Sequence, residues 1–178
     1  YPKRAAYDTD TIYPILDEAL VCHVGFAIDN QPFVIPTIHA RMGDQLLLHG
    51  LKGGRMLDHV NAGNPLCVTV TLLDGLVMAR TVFNHSMNYR SVVIYGRFEE
   101  VVDPECKLAA FNAFVDFVSP GRSARVREPS AAEISGTKLL RIPLHEAAAK
   151  MRSGGVIDAD DDMAIPVWAG VIPLTLQS

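Results

Sequence analysis

Residues 34–56, VIPTIHARMGDQLLLHGLKGGRM, constrain the fold of this chain more than any other stretch. Val34, Ile35, Pro36, Thr37 and Ile38 form an apolar, largely β-branched run. Residues 41–44 carry turn chemistry, and Leu46, Leu47, Leu48 and His49 form a second run. The pattern predicts strand, turn, strand. Gly53 and Gly54 then let the backbone approach another group closely, and Arg55, Met56 and Leu57 open a predicted helix. Unpaired N–H groups at a helix start favour anions, and Lys52 and Arg55 flank that point. Two readings follow. One is a phosphate cradle built from two cations and helix amides; the other is an ordinary hairpin feeding a helix whose basic residues are solvated.

At 178 residues the chain is expected to form one domain, with 1–7 as a lead-in and 154–163 as an acidic loop. A composition of 49% hydrophobic and 20% charged residues fits a globular protein rather than a disordered one. Net charge is −4, and no basic tract exceeds two residues, which argues against nucleic acid as a partner. No apolar run approaches the roughly 20 residues that span a bilayer, and no signal-type segment opens the sequence. The expected location is the cytoplasm, with no membrane partner. Cys22, Cys67 and Cys106 are odd in number, widely spaced and set among apolar neighbours, so buried free thiols are expected.

Upstream, Ile12, Ile15, Leu16 and Ala19 recur at helical spacing, and Pro14 places the helix start near Asp10 or Thr11. Residues 20–28 read as a buried strand, and Asp29-Asn30-Gln31-Pro32 closes a hairpin onto the Val34 strand. Downstream, a helix over 54–62 ends at Gly63, and 65–79 is a strand turned or broken at Asp74-Gly75. Residues 89–102 form another long strand, with Gly96 as a bulge. Asp103, Pro104 and Glu105 supply the cap, first-turn proline and acid of a helix. Its apolar face is Leu108, Phe111, Phe114, Val115 and Val118. Ser130 caps a short helix, 138–142 is the last core strand, and the acidic loop is expected to be mobile. About six strands in hairpins, with helices between them, predict a mainly β antiparallel Greek-key barrel rather than a doubly wound sheet.

No HxH or HExxH pair marks a metal site, no G-x-S-x-G a hydrolase elbow, and no GxGxxG a dinucleotide fold. His49 ends an apolar strand just before the glycine pair, where its ring reaches a ligand or is merely hydrogen-bonded at a strand end. The polar cluster 84–91 is a solvated loop, or else Arg90 and Ser91 direct donors into a groove. Trp168, between Pro166 and Gly170, is either a core residue or a wall over a ligand.

The ordered segments IPTIHARMGDQLLLHGLKGGRM, NPLCVTVTLLDGLV, NYRSVVIYGRFEEV and PVWAG resemble the pyridoxamine 5′-phosphate oxidase-related, FMN-binding split-barrel proteins. The similarity is to the branch containing nitroimidazole-resistance-type flavoproteins, and it covers roughly residues 8–173. The resemblance implies a homodimer of split β-barrels with FMN at the subunit interface and a small-molecule redox partner. It implies that Val34, Ile35, Pro36 and Thr37 run along the flavin ring, and that His49 and Gly50 lie beside it. It also implies that Lys52, Gly54, Arg55 and Met56 surround the phosphate. Tyr89, Arg90, Ser91 and Trp168 would approach the same flavin, Trp168 from the partner subunit. His49 is the candidate polar group at the redox face. Two departures matter. The oxidases have serine-arginine-lysine where this chain has Gly54-Arg55-Met56, and their C-terminal arginine-histidine segment has no counterpart in AGVIPLTLQS. The expectation is therefore an FMN-dependent oxidoreductase acting on something other than pyridoxamine phosphate. Two other classes stay open: a flavin storage module without turnover, and a haem-binding split barrel with His49 or His23 as axial ligand.

Overall fold

The computed structural model describes residues 4–51 and 53–176. Strand β1 (Ala5–Ala6) turns the expected lead-in into a short edge strand, followed by helix α1 (Thr9–Glu18). The Asp8 carboxylate caps α1 by accepting from the Thr11 amide at 2.8 Å. The helix thus starts earlier than Pro14 suggests. Pro14 lies well inside it, and the carbonyl it leaves without a partner belongs to exposed Asp10, where water can replace the lost bond. Strands β2 (Val21–Ile28) and β3 (Gln31–Ile38) form the expected hairpin. Asp29 and Asn30 both take positive φ, 49° and 64°, as a two-residue type I′ turn demands.

Strands β4 (Ala40–Met42) and β5 (Gln45–Leu51) follow, then helix α2 (Arg55–Asn61) and the long strand β6 (Leu66–Met78). Strand β6 is bulged at Asp74 rather than broken. Strand β7 (Ser86–Gly96) ends where one continuous strand to 102 was expected. The chain bends at Gly96 and restarts as β8 (Glu99–Val101) in a different sheet. Helix α3 (Pro104–Val118) is capped by Asp103, and helix α4 (Ala131–Gly136) carries a full capping box between Ser130 and Glu133. Strand β9 (Thr137–Pro143) is not the last. Strands β10 (Ala147–Arg152) and β11 (Gly170–Pro173) follow it.

All pairing is antiparallel. One sheet runs β1-β10-β7-β6-β2-β3, with β11 also on β6; the other runs β4-β5-β9-β8. The architecture is mainly β with inserted helices, an unclosed split barrel. Between the sheets lies the main core. Leu46, Leu48, Leu140 and Ile142 from the smaller sheet meet Val24, Val68, Val92 and Ile94 from the larger one. Helix α1 closes one end with Ile12, Ile15 and Leu16, and α2 contributes Met56, Leu57 and Val60. On the outer face of the smaller sheet, Ala40, Leu47, Val101 and Leu139 pack against Ala110 and Phe114 of α3. The face of α3 that meets the sheet is therefore Lys107, Ala110 and Phe114, turned from the one the sequence suggests.

One local expectation holds and two change. Cys22 is buried, and burial pushes its thiol up to about 12, so it is chemically quiet. Cys106, however, is exposed in the first turn of α3. The acidic segment is anchored: Asp158, with a side chain only 1% exposed, accepts from the Arg80 amide at 3.1 Å and its guanidinium at 3.0 Å.

His39 is fully buried at the junction of α1, α3 and the smaller sheet. Its Nε2 donates to the Leu16 carbonyl at 2.9 Å, and its ring lies 5.3 Å from that of Phe117. Nδ1 has no partner among the described residues. Burial holds this imidazole below the ordinary histidine range. The unfolded chain therefore takes up a proton near pH 6.5 that the native chain refuses, and stability falls as pH drops below that value. Urea midpoints should accordingly decrease from pH 7.5 to 5.5, and by less in His39→Gln; equal decreases would refute this assignment. Leu140→Ala, which empties part of the layer between the sheets, should cost about 2–5 kcal/mol with an unchanged m-value.

Candidate functional site

Helix α2 begins at Gly54, which offers no side-chain cap. Gly53 before it has φ +85°, and a Cβ built there would meet nothing within 4 Å. The first amides of α2 thus open onto free space beside exposed Arg55. The Arg55 guanidinium stands 5.1 Å above the Phe33 ring, Phe33 stacks on Phe26 at 5.4 Å, and Phe26 meets His59 at 5.0 Å. His59 in turn reaches the Pro65 carbonyl at 3.1 Å. This stack links the start of α2 to β2 and β3 and leaves Arg55 without a carboxylate partner among the described residues. Lys52, the second expected cation, lies outside the described residues.

Among the described residues, strand β3 is the edge of the larger sheet and pairs with β2 alone. Pro32 and Pro36 have no N–H to give, so they occupy positions whose backbone faces away from β2. By strand alternation Val34 and Ile38 share that direction, and Val34 is 66% exposed. A ligand beside β3 would therefore meet the backbone of Val34, Pro36 and Ile38, while Ile35 and Thr37 point theirs to β2. Arg55, Gly54, Met56 and β3 come together at one end of the sheet. Gly50 is nearby on β5, 3.7 Å from Leu57 of α2 as measured from a built Cβ.

Other expected site residues lie elsewhere. Tyr89, Arg90 and Ser91 sit on β7, separated from β3 by β6 and β2, about 14 Å at the usual strand spacing. Arg90 directs no free donors into a groove. It makes paired bonds to Asp74, at 2.7 and 3.0 Å, and it also grips Glu18, at 2.8 Å through Nη2. These carboxylates raise its already high pKa further, and Arg90 lines a cavity of about 630 Å³ with Glu18, Asp74 and residues 174–176. Ser91 donates to the Lys150 carbonyl at 3.0 Å. Trp168 is 62% exposed and lies over Gly170, which pairs with Met78 at the far end of β6. Thirteen residues of strand span about 40 Å, and Arg55 lies at the other end. Trp168 and Arg55 of one chain thus lie toward opposite ends of β6.

His49 has a setting that the sequence did not reveal. Along β5, Leu46 and Leu48 point into the barrel, so Leu47 and His49 point toward α3. The His49 ring meets Phe114 edge-on at 4.8 Å. Together with Phe111, Val115 and Val118 of α3 it lines a recess of about 420 Å³, with Ser119 and Arg122 where the helix ends. His49 Nδ1 is buried with no hydrogen-bond partner among the described residues, and burial holds the ring below the ordinary histidine range. A neutral imidazole with an uncommitted nitrogen is a metal-ligand type. His23, in contrast, is exposed on β2. No group of three metal-ligating side chains occurs among the described residues, and none of their helices is long and apolar enough to cross a membrane.

Solved structures with this architecture include the flavocytochrome Anf3 from Azotobacter vinelandii, with TM-score 0.91 and 40% identity over 99% of this chain and 82% of that one. The FAD and haem binding protein from Mycobacterium smegmatis gives TM-score 0.93 and 33% identity over 98% and 86% of the two chains. A 5-nitroimidazole antibiotic resistance protein from Bacteroides thetaiotaomicron shares the fold at TM-score 0.71, with 23% identity over 83% and 86%. No curated protein matches the sequence. A family model for pyridoxamine 5′-phosphate oxidase matches residues 8–151. With most of its length matched and its barrel split in the same way, the chain belongs to the pyridoxamine 5′-phosphate oxidase family.

Proposed function

We propose that this chain is a flavin-binding redox protein whose cofactor lies along β3 and the start of α2, and that a second copy completes the site. The observation that carries the reading is Arg55, held over Phe33 beside an uncapped helix start and an exposed sheet edge. A mononucleotide's phosphate suits Arg55 and the first α2 amides, with Lys52 as a second cation. The ring suits the outward backbone around Val34, Pro36 and Ile38. FMN meets these requirements, and FAD contains the same mononucleotide portion. The M. smegmatis relative is an FAD and haem binding protein, so both flavins are candidates here.

Trp168, and with it the face around Tyr89, Arg90 and Ser91, would approach this flavin from the partner subunit of a homodimer. Bound flavin supplies the hydride or electron chemistry, and this chain's residues neutralise its phosphate, orient the ring and exclude water.

His49 favours a second ligand. A neutral imidazole lining an apolar recess fits haem iron held by a histidine. Both similar proteins named above as flavocytochrome and as FAD and haem binding protein agree with that reading. Haem would add one-electron chemistry, while His49 supplies the ligand nitrogen and the α3 side chains keep water away.

The purified protein should release FMN or FAD on denaturation. Arg55→Ala should weaken FMN binding about ten- to a hundred-fold, the worth of one charge-assisted hydrogen bond, yet leave riboflavin binding unchanged. Undiminished FMN affinity would remove the phosphate assignment. Arg55→Ala and Trp168→Ala subunits, each flavin-poor alone, should regain about a quarter of the sites on 1:1 exchange, because about half of the dimers are then mixed and each mixed dimer contains one intact site. A Soret band that appears on haem addition and disappears in His49→Ala would support the second ligand; flavin-loaded protein that never gives a Soret band would dismiss it.

A further inference from the structure

We propose that Arg122 is the specificity-determining residue of the α3 recess, and that it recognises a carboxylate on the tetrapyrrole edge; this rests on the haem reading of that recess. Among the described residues that line the recess, Arg122 is the one with a permanent charge. Its neighbours there are His49, kept neutral by burial, and the apolar side chains of α3. A ligand that filled only this apolar space would need no cation at the opening. A flat apolar ligand with an acidic edge would.

Local structure fixes where Arg122 stands and leaves its guanidinium free. The chain turns just after α3. The Arg122 amide donates to the Ser119 carbonyl at 3.0 Å, and the Arg122 carbonyl accepts from the Arg125 amide at 2.9 Å. Asp116, one of the two acids nearest to it in sequence along with Glu128, is already engaged. Its two oxygens accept from the Ser123 amide at 2.8 Å and the Ser123 hydroxyl at 2.6 Å, and these bonds hold its carboxyl below the usual range. Arg122 makes no ion pair among the described residues, whereas Arg41, Arg80, Arg90 and Arg127 all do. A planar guanidinium next to an apolar recess suits bidentate recognition of a carboxylate.

A purely structural role also has a physical basis, since a cation beyond the C-terminus of α3 complements the helix dipole. That role would alter stability and treat all ligands alike, so the test compares two ligands. Iron protoporphyrin and its dimethyl ester share ring and iron and differ only in the acidic edge. Each is titrated by Soret absorbance into wild type, Arg122→Gln and Arg122→Lys, with urea midpoints as the control on folding. The expected result is a ten- to hundred-fold weaker Kd for the free acid in Arg122→Gln, partial recovery in Arg122→Lys, and no change for the ester. Equal free-acid affinity in wild type and Arg122→Gln, or an equal loss for the ester, overturns the role of Arg122 while haem binding stands. If wild type binds neither porphyrin, the haem reading itself fails, and the role of Arg122 with it.

Discussion

The two sheets are joined by side chains, not by a ladder of backbone hydrogen bonds. Among the described residues no strand of one sheet pairs with a strand of the other, so the barrel stays split. What holds it is the apolar layer in which Leu46, Leu48, Leu140 and Ile142 meet Val24, Val68, Val92 and Ile94, nearly all fully buried. Burying such side chains is worth about 1.5–3 kcal/mol each, so this layer outweighs any surface ion pair in the molecule. The chain crosses between the sheets at Gly96. A Cβ there would come within 2.9 Å of Ile142, so glycine lets the crossing sit directly on the core.

Both candidate ligand regions are consequences of this layering. Because β5 alternates, Leu46 and Leu48 complete the core while Leu47 and His49 face α3, which gives His49 an apolar setting. Because β3 ends its sheet, its outward backbone is left for another molecule. Helix α2 is anchored from below by Met56, Leu57 and Val60, and Arg55 is steadied from the side by Phe33. Rigid elements thus place the charged group beside the uncapped start of α2.

The features legible in the sequence are those whose chemistry is local. Asp103 and Ser130 cap helices as read, since a cap is a bond across three residues. Asp29-Asn30 makes the hairpin because its backbone needs are set within two residues. Strand β10 was not legible. Ala147, Ala148, Ala149 and Lys150 are helix formers, and only pairing along β7 makes them a strand. Asp158 looked like part of a solvated acidic loop, and its burial depends on Arg80, far away in sequence. Arg90 looked like a free donor until Glu18 and Asp74 were brought to it.

The sequence by itself pointed to the family through the order of its segments, and it determined the glycine pair before α2 and the cation at Arg55, because these two lie in one continuous stretch. Tertiary structure decided which face of β5 His49 occupies, that its Nδ1 is buried without a partner among the described residues, and that Trp168 and Arg55 lie toward opposite ends of β6. Burial and separation of this kind depend on how the sheets stack, and stacking is a property of residues far apart in the chain.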